Sequence, residues 1–223
     1  MSDPLKVFIG VDRRQPLAYN VARNSVERHA KSRVQVEPLR IDWLPITRQG
    51  LTEFTFSRYL VPWLMGYKGQ AVFLDGDMVV KIDITRILDD LDPLAAVSIV
   101  KSRQRFEWPS LMVFNCAHPL CAVLTPEFVE SPANSPHTLE WAADATGTLD
   151  PSWNYCVGYD TTGADTAKII HFTAGIPCWP ETKQCGMAGA WREELSKALY
   201  TVSWEELMGR SVHKHLADLQ PVS

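Results

Sequence analysis

The sequence predicts an α/β fold whose sheet begins with parallel strands, and two observations support this prediction. Short apolar runs of strand length alternate with segments of helical periodicity from the N-terminus to residue 74. Each run is almost continuously apolar, which is typical of strands buried on both faces. Strand–helix–strand units form right-handed crossovers between parallel strands, so a parallel arrangement is expected here.

The first five elements follow this alternation. Strands are indicated by continuous apolar runs, and helices by apolar residues three or four positions apart. Pro16 favours a helix start because its fixed φ suits the first helical position, and Pro62 predicts a kink. The elements are a strand at Leu5–Val11, a helix at Pro16–Ala30, a strand at Val34–Ile41, a helix at Thr55–Tyr67 and a strand at Ala71–Leu74.

The rest of the chain gives weaker signals of the same kinds. No shift in composition marks a domain boundary, so residues 1–223 are predicted to form one domain. The segment Thr173–Ala188 is rich in Gly, Pro and Cys and has no period, which predicts a loop. The further elements are a short helix at Ile84–Leu91, strands at Ala95–Val100 and Leu111–Asn115, a helix at Thr138–Thr146, a strand at Lys168–Phe172, and helices at Gly189–Tyr200 and Trp204–Leu219.

Composition excludes several classes of function. The net charge of −4 and the absence of a Lys/Arg-rich run argue against a nucleic-acid binder. No stretch approaches the ~20 apolar residues of a transmembrane segment, and the first apolar run is too short for a signal peptide. The five cysteines include no C-x-x-C pair, which favours reduced thiols over disulfides or zinc. A cytoplasmic protein is expected.

The most informative motif is Asp75-Gly76-Asp77, directly after the third predicted strand. Asp-Gly is also a common tight turn, so the tripeptide alone leaves a purely structural role open. Two carboxylates ~4 Å apart repel by ~1 kcal/mol in water and ~4 kcal/mol at a half-shielded site, so a partly buried pair favours a cation. Asp12 follows the first strand and is expected at the same edge of the sheet, where ligands bind in such folds.

A histidine and a glycine near the C-terminus extend this hypothesis. His171 ends the predicted strand Lys168–Phe172, and on residue type alone a single histidine is more often a packed core residue. Two carboxylates and one imidazole nevertheless suit Mn²⁺ or a similar ion. Gly175 lies in the following loop, where backbone N–H groups could approach phosphate oxygens.

Six short segments, taken in order, resemble one family of enzymes. They are Val7–Asp12, Phe56–Leu60, Phe73–Val80, Phe114–Cys116, Ser152–Tyr155 and His171–Gly175. With these segments the chain resembles glycosyltransferases of the GT-A fold, which have a Rossmann-like mixed sheet with flanking helices, and it is most similar to glycosyltransferase family 8.

The resemblance implies a metal-dependent hexosyltransferase. Asp75, Asp77 and His171 would bind Mn²⁺ or Mg²⁺ at the two phosphates of a nucleotide-sugar donor, a UDP-hexose by analogy, with Gly76 inside the motif and Gly175 in the phosphate loop. Transfer would retain the anomeric configuration, and the acceptor, a saccharide or another hydroxyl compound, is unknown. Residues 1–115 would form the donor half and residues 116–223 the acceptor half.

The resemblance also implies roles for four other residues. Asp12 would contact the nucleoside, Arg58 the donor phosphates or sugar, and Asn115 the sugar. Glu140 stands nearest to the position of the family's Asp-Gln pair, where a carboxylate would stabilise positive charge on the sugar ring. Without the family, Arg58 reads as a solvated or ion-paired side chain and Asn115 as a turn former.

The sequence departs from the family pattern at the loop after His171. The third residue after the histidine is Ala174 instead of glycine, and Pro177-Cys178-Trp179 lacks the family's lysine for the diphosphate. The cation must then come from elsewhere, and the candidates are Lys101, Arg103 and Lys183.

Two other functions stay open beside glycosyl transfer. The missing lysine is compatible with a nucleotide-sugar binding module that has lost turnover. A sugar nucleotidyltransferase is disfavoured because the segment 12–16 has arginines but no glycine run. A Rossmann dehydrogenase and a serine hydrolase are excluded, since neither G-x-G-x-x-G after the first strand nor G-x-S-x-G occurs.

Overall fold

The computed structural model describes residues 3–101 and 109–199, and the strands in these ranges form two sheets. In chain order they are β1 (Leu5–Gly10), β2 (Val34–Leu39), β3 (Gln70–Leu74), β4 (Met78–Val80), β5 (Val97–Ile99), β6 (Leu111–Asn115), β7 (Thr146–Thr148), β8 (Tyr155–Cys156) and β9 (Ile169–His171). The main sheet has the order β2-β1-β3-β6-β5-β7, and the small sheet has the order β4-β9-β8.

The main sheet is mixed. Strand β1 is parallel to β2 and to β3, as the alternation of strands and helices predicts. Strand β6 runs antiparallel to both β3 and β5, and β5 is parallel to β7. The run of parallel neighbours β2-β1-β3 therefore ends at β3. The reason is that the chain after β3 forms a short strand and a 3₁₀ helix at Ile84–Asp90 instead of a long crossover helix.

The small sheet was missed by sequence reasoning, except for β9. Its strands are only two or three residues long, too short for a periodic signal. Strand β4 pairs antiparallel with β9, and Met78 lies opposite His171 in the register. This pairing places the segment after β3 against the end of β9, although the two are almost 100 residues apart in sequence.

Two predicted helices are confirmed. Helix α1 (Pro16–His29) starts at Pro16 and buries Leu17, Val21 and Val26, while α4 (Ala188–Ala198) packs against α1. Helices α2 (Val61–Leu64) and α3 (Pro126–Glu130) are single turns. The predicted helix at 204–219 lies outside the described residues. Within the described residues, no helix combines the length and apolar character that crossing a bilayer requires.

Two other helix predictions need correction. The segment 55–67 forms a 3₁₀ turn at Ser57–Leu60 followed by α2, with Pro62 in the first turn of α2 instead of kinking a longer helix. The segment 138–146 is not a helix: it contains the end of a 3₁₀ turn at Pro136–Thr138, a second turn at Glu140–Ala142 and then the start of β7. Leu139 (φ 59°) and Ala143 (φ 46°) have left-handed backbone there, which no helix can include.

Apolar cores cover both faces of the main sheet. Phe73 and Phe114 belong to one core, and Val72 and Val113 belong to the other; all four side chains are at most 1% exposed. Full burial of one such side chain stabilises the fold by ~1.5–3 kcal/mol. The central strands are thus buried on both sides, as their continuous apolar runs predict.

Gly76 allows the turn after β3 to lie directly on β1. A Cβ atom at this position would come within 2.5 Å of the Gly10 carbonyl oxygen, so no larger residue fits without a backbone shift. Because the neighbouring atom is main chain, no rotamer change can relieve the contact. The glycine is therefore needed for close packing of the turn that carries Asp75 and Asp77.

We predict that Gly76→Ala lowers the free energy of unfolding by about 1–3 kcal/mol, the usual range for overpacking. The matched control is Gly189→Ala in α4, where a Cβ would meet nothing within 4 Å. This control should be neutral or stabilising by up to ~1 kcal/mol, because alanine favours helix more than glycine. Urea unfolding of both variants makes the measurement, and equal effects of the two would contradict the packing argument.

Candidate metal and donor site

Three potential metal ligands meet where the two sheets join. Asp75 and Asp77 flank the turn between β3 and β4, and His171 is the last residue of β9. The Phe172 backbone N–H donates to the Asp77 carbonyl oxygen at 3.1 Å, which extends the pairing of β4 with β9. One side-chain ligand atom from each of the three residues lies within 4.8 Å of the others. The structure therefore brings together the three residues that the resemblance nominated.

The carboxylates of this group are largely withdrawn from water. The Asp75 side chain is 14% exposed and that of Asp77 is 26% exposed, and an Oδ1 atom of each is inaccessible to solvent. Nε2 of His171 lies 3.3 Å from Oδ1 of Asp77. Two partly buried carboxylates and an imidazole are a donor set that suits Mn²⁺ or Mg²⁺, with the imidazole favouring Mn²⁺.

Asn154 orients His171, and sequence reasoning gave it no role. Its Oδ1 is 3.2 Å from Nδ1 of His171, and its Nδ2 donates to Oγ of Ser110 at 2.9 Å. Because the amide nitrogen is used on Ser110, Oδ1 is the acceptor for a proton on Nδ1. Nε2 then faces the carboxylates with its lone pair when the ring is neutral, which is the form that ligates a metal. The signal in the sequence was a polar Asn154 between two aromatic residues.

The charge of His171 depends on the carboxylates beside it. Burial works to lower its pKa, but the charge and hydrogen bond of Asp77, with a smaller contribution from Asp75, outweigh burial and raise the pKa well above its ordinary value. The imidazolium therefore balances negative charge when no cation is bound. A metal ion must displace this proton to use Nε2, so affinity for the metal should increase with pH.

Arg58 pairs with the first carboxylate from the other side. It is buried, its Nη1 lies 3.0 Å from Oδ1 of Asp75, and the same nitrogen donates to the Pro109 carbonyl oxygen at 2.6 Å. The guanidinium also packs over the Phe73 ring at 4.9 Å. Of the two ordinary readings of Arg58, the solvated one is wrong because the side chain is buried, and the ion-paired one is correct, with a residue of the candidate site as the partner.

A cavity of about 510 Å³ opens onto this group. Its polar wall includes Arg58, Asp75, Asp77, His137, Tyr159 and His171. Tyr159 also lines a neighbouring cavity of about 690 Å³, whose wall is rich in hydroxyl and carboxylate side chains from residues 150–166. Two adjoining cavities therefore meet at Tyr159, and Asp75, Asp77 and His171 line only the smaller one.

Asp12 lies at the same edge of the sheet, as predicted. It is 4% exposed, and its carboxylate accepts hydrogen bonds from the backbone N–H and the guanidinium of Arg14. Burial acts to raise the pKa of Asp12, but the bonds from Arg14 outweigh it and the pKa is lowered. A small cavity of about 30 Å³ separates Asp12 from Gly76 and Asp77.

Asn115 is not brought to the cavity. In the antiparallel register Asn115 lies opposite Gln70 at the start of β3, while Leu111 lies opposite Leu74 at its end. The four residue steps from Leu111 to Asn115 place Asn115 about 13 Å from the edge that carries Asp75. Instead, Ser110 reaches that edge, where its carbonyl oxygen accepts from the Asp75 N–H at 2.9 Å. Asn115 itself starts the turn toward His118, so the turn-former reading applies.

Glu140 also lies elsewhere. Its side chain is exposed on a separate cavity with Phe128 and Trp141, so the structure does not support a place for it near the sugar ring. Gly175 has the left-handed φ of 122° that favours glycine and follows Thr173, which does line the 510 Å³ cavity. Lys101 and Lys183 are exposed outside this cavity, and Arg103 is not among the described residues.

Comparisons with known proteins agree on the fold. No protein-family model matches the chain. Protein CDI of Arabidopsis thaliana is 28% identical over 225 residues, which cover 87% of this chain and 87% of that protein. Among solved structures, the bifunctional glycosyltransferase WbbM superposes with a TM-score of 0.66 at 17% identity, over 95% of this chain and 52% of its own.

Two further solved structures give the same result. The glycosyltransferase GlyE of Streptococcus pneumoniae has a TM-score of 0.65 at 16% identity, over 90% of this chain and 63% of its own. The galactosyltransferase LgtC, in complex with donor and acceptor sugar analogues, has a TM-score of 0.59 at 12% identity, over 92% of this chain and 100% of its own. The chain therefore has the GT-A glycosyltransferase fold, and it spans about half to two thirds of the WbbM and GlyE chains.

We predict that Arg58→Met destabilises the protein by about 3 kcal/mol, because it leaves the Asp75 carboxylate without its buried cation beside a second carboxylate. The control is Arg23→Met, which removes an exposed pair with Glu27 at 2.9 Å and should cost at most ~0.5 kcal/mol. Urea unfolding of both variants makes the comparison. Equal effects would show that the Arg58–Asp75 pair does not stabilise the site.

Proposed function

We propose that the chain is a metal-dependent glycosyltransferase that transfers a hexose from a nucleotide sugar, a UDP-hexose, to a hydroxyl acceptor. The observation that carries the proposal is the group formed by Asp75, Asp77 and His171, in the wall of a 510 Å³ cavity in a glycosyltransferase fold. The motif order supports a place in family 8 and a retaining reaction. We also propose that residues 1–223 form a single cytoplasmic domain, with a donor half before residue 116.

The three ligands fit a hard divalent cation. Their atoms converge within 4.8 Å, and the fixed ring of His171 supplies the imidazole that favours Mn²⁺ over Mg²⁺. We propose that Asp75, Asp77 and Nε2 of His171 hold this ion. When bound, it would supply the Lewis-acid charge that stabilises a departing nucleoside diphosphate.

The remaining polar residues prepare the site for the donor. Arg58 holds the Asp75 carboxylate in place and keeps a positive charge in the cavity wall. Asn154 holds the His171 ring, and Ser110 holds Asn154. We propose that Asp12 and Arg14 at the end of β1 contact the nucleoside, and that Gly76 and Gly175 let the main chain approach the phosphates.

We propose that the acceptor binds in the neighbouring cavity. This cavity is lined almost entirely by residues 150–166, in the predicted acceptor half. It shares Tyr159 with the 510 Å³ cavity, which we call the donor cavity. An acceptor hydroxyl that enters past Tyr159 would reach the bond between the sugar and the diphosphate. The hydroxyl and carboxylate side chains of this wall suit a polyol or saccharide.

A second candidate function is a nucleotide-sugar binding module without turnover. It is favoured by the absence of the family's lysine and by the position of Glu140 outside the cavity. Release of UDP from a UDP-hexose in the presence of Mn²⁺ separates the two candidates. An active enzyme releases UDP over many turnovers, whereas a binding module shows ligand-dependent stabilisation without release.

The experiment that tests the proposal is thermal unfolding with a panel of nucleotide sugars. UDP-glucose, UDP-galactose, UDP-GlcNAc and GDP-mannose are each added with Mn²⁺ or with EDTA, next to a nucleotide-free control. A ligand at ~100 times its Kd stabilises the folded state by ~2.7 kcal/mol, which gives a clear shift in Tm. A shift that requires both a UDP-sugar and Mn²⁺ supports the proposal. No shift with any ligand contradicts it.

We predict that Asp75→Asn and Asp77→Asn each abolish the Mn²⁺-dependent part of this shift, because each removes a charged ligand. The control is Asp89→Asn, an exposed carboxylate outside the cavity, which should keep the full shift. The same thermal measurement compares the three variants. Full Mn²⁺ dependence in both cavity variants would rule out the proposed metal site.

We further predict that Asn154→Ala weakens Mn²⁺ binding 10–100-fold, the range found when a residue that orients a metal ligand is removed. Titration calorimetry with Mn²⁺ alone makes the measurement. The control is Asn134→Ala, which removes a hydrogen bond of 2.9 Å to the Phe128 carbonyl oxygen away from the site and should leave Mn²⁺ affinity unchanged. An unchanged affinity in Asn154→Ala would mean that the Asn154 amide does not control His171.

A further inference from the structure

His137 lines the donor cavity, although no motif marked it. It sits in the 3₁₀ turn Pro136–Thr138, which the buried side chains of Pro136 and Leu139 anchor on either side. The same cavity wall contains Arg58, Asp75, Asp77 and His171. A half-buried imidazole therefore shares the cavity with the candidate metal ligands without belonging to them.

We propose that His137 is a specificity-determining residue that donates a hydrogen bond from Nε2 to a hydroxyl group of the hexosyl part of the donor. This inference rests on the proposed function. It assigns the recognition of the sugar to a residue outside the Asp75, Asp77 and His171 group.

Tyr59 determines which nitrogen of His137 carries the proton. The Tyr59 hydroxyl lies 2.7 Å from Nδ1 of His137, and the tyrosine is completely buried. Among the residues that the structure describes, Nδ1 is the one hydrogen-bond partner of this hydroxyl. Burial raises the pKa of Tyr59 far above its ordinary value, so the phenol keeps its proton and donates it to Nδ1. The neutral ring then carries its own proton on Nε2.

The ring is uncharged at neutral pH. Burial lowers the pKa of His137 to about 4, and the nearby cations Arg58 and Arg48 act in the same direction. A neutral N–H group adds no net positive charge to attract a diphosphate, as a lysine or arginine would, but it is a good donor to a hydroxyl oxygen. Because Nε2 already carries a proton, it cannot take one from an acceptor hydroxyl, so the geometry favours a hydrogen-bond donor over a general base.

The ring is also held firmly. Its centroid lies 4.9 Å from that of Phe56 and 5.2 Å from that of Tyr59. The guanidinium carbon of Arg48 lies 3.8 Å from the centroid of the Phe56 ring. Arg48 also donates hydrogen bonds to the carbonyl oxygens of Val129 and Ser131. A donor fixed in direction can distinguish hydroxyl groups that differ only in orientation, as in epimeric hexoses.

The hexosyl group is the part of the donor that this N–H can reach. Under the proposed function, Asp75, Asp77 and His171 would hold the diphosphate through a bound cation, and the sugar of the donor is bonded directly to that diphosphate. Both must then lie within the same 510 Å³ cavity, whose wall contains His137. Within the described part of the chain, Nε2 of His137 has no hydrogen-bond partner, so its proton is available to a ligand.

The test compares the affinities of UDP, UDP-glucose and UDP-galactose, each with Mn²⁺, by titration calorimetry. His137→Phe keeps an aromatic ring against Phe56 but removes the N–H donor. We expect it to lose about 10-fold in affinity for the UDP-hexose that the wild type prefers, and most of its discrimination between the two hexoses, with UDP affinity unchanged within about 2-fold. His137→Gln places an N–H near the position of Nε2 and should recover most of the loss.

Two outcomes would overturn the assignment. Unchanged UDP-hexose affinity and selectivity in His137→Phe would show that the sugar does not contact the ring. An equal loss for UDP and UDP-hexose would show that His137 only supports the structure of the cavity. A wild-type protein that binds neither UDP nor a UDP-hexose would overturn the proposed function itself, and the inference with it, which is a different result from either of these.

A double variant distinguishes the loss of the Nε2 donor from a general loss of stability. His137→Phe leaves the buried Tyr59 hydroxyl without its partner, which destabilises the fold. Combining it with Tyr59→Phe removes that unpaired hydroxyl and should restore stability in urea unfolding while selectivity stays lost. Recovery of selectivity together with stability in the double variant would contradict the proposal.

Discussion

The repulsion between two partly buried carboxylates constrains the rest of this structure. Asp75 and Asp77 are separated by one glycine, and at a half-shielded site such a pair repels by ~4 kcal/mol at a separation of ~4 Å. Arg58 compensates Asp75, and His171 compensates Asp77. These two cations are more than 100 residues apart in the sequence, so the fold must bring residue 58 and residue 171 to the same turn. The pairing of the short strands β4 and β9 is what brings residue 171 to this turn.

The reversal of direction at β6 decides which polar residues can reach the site. Because β6 runs antiparallel to β3, its first residues lie beside Asp75 and its last residue lies at the far edge of the sheet. Asn115 is thereby removed from the cavity, while Ser110 is placed to support Asn154 and, through it, His171. A parallel β6 would have produced the opposite assignment. The direction of β6, more than residue type, decides that Ser110 reaches the site and Asn115 does not.

The predictability of the structure follows the strength of the local signal. Strands β1 and β3 are continuous apolar runs and helix α1 has a long periodic pattern, so the positions of all three and the parallel pairing of the strands were predicted. The convergence of Asp75, Asp77 and His171 was predicted from the family resemblance. The short strands β4 and β8 have too few residues for a period. Leu139 and Ala143 have left-handed backbone, which is incompatible with the predicted helix at 138–146. Neither residue is a glycine, so nothing in the sequence indicates this conformation. His137 and Asn154 lie in such irregular segments, and their importance comes from tertiary contacts that no spacing encodes.

The charge balance of the site would allow the proposed binding of a diphosphate without the lysine that glycosyltransferase family 8 has after its histidine. Without a metal ion, the carboxylates of Asp75 and Asp77 are balanced by Arg58 and by the imidazolium of His171, whose pKa is raised. A divalent cation that displaces the proton of His171 replaces one positive charge with two. These groups then carry an excess of one positive charge, which favours an anionic ligand at this place and only when the metal is bound. Because Arg58 is paired with Asp75, a bound metal ion would be the main source of positive charge for the phosphates. Metal binding and donor binding should therefore be strongly coupled, more so than in an enzyme whose lysine contributes a permanent charge.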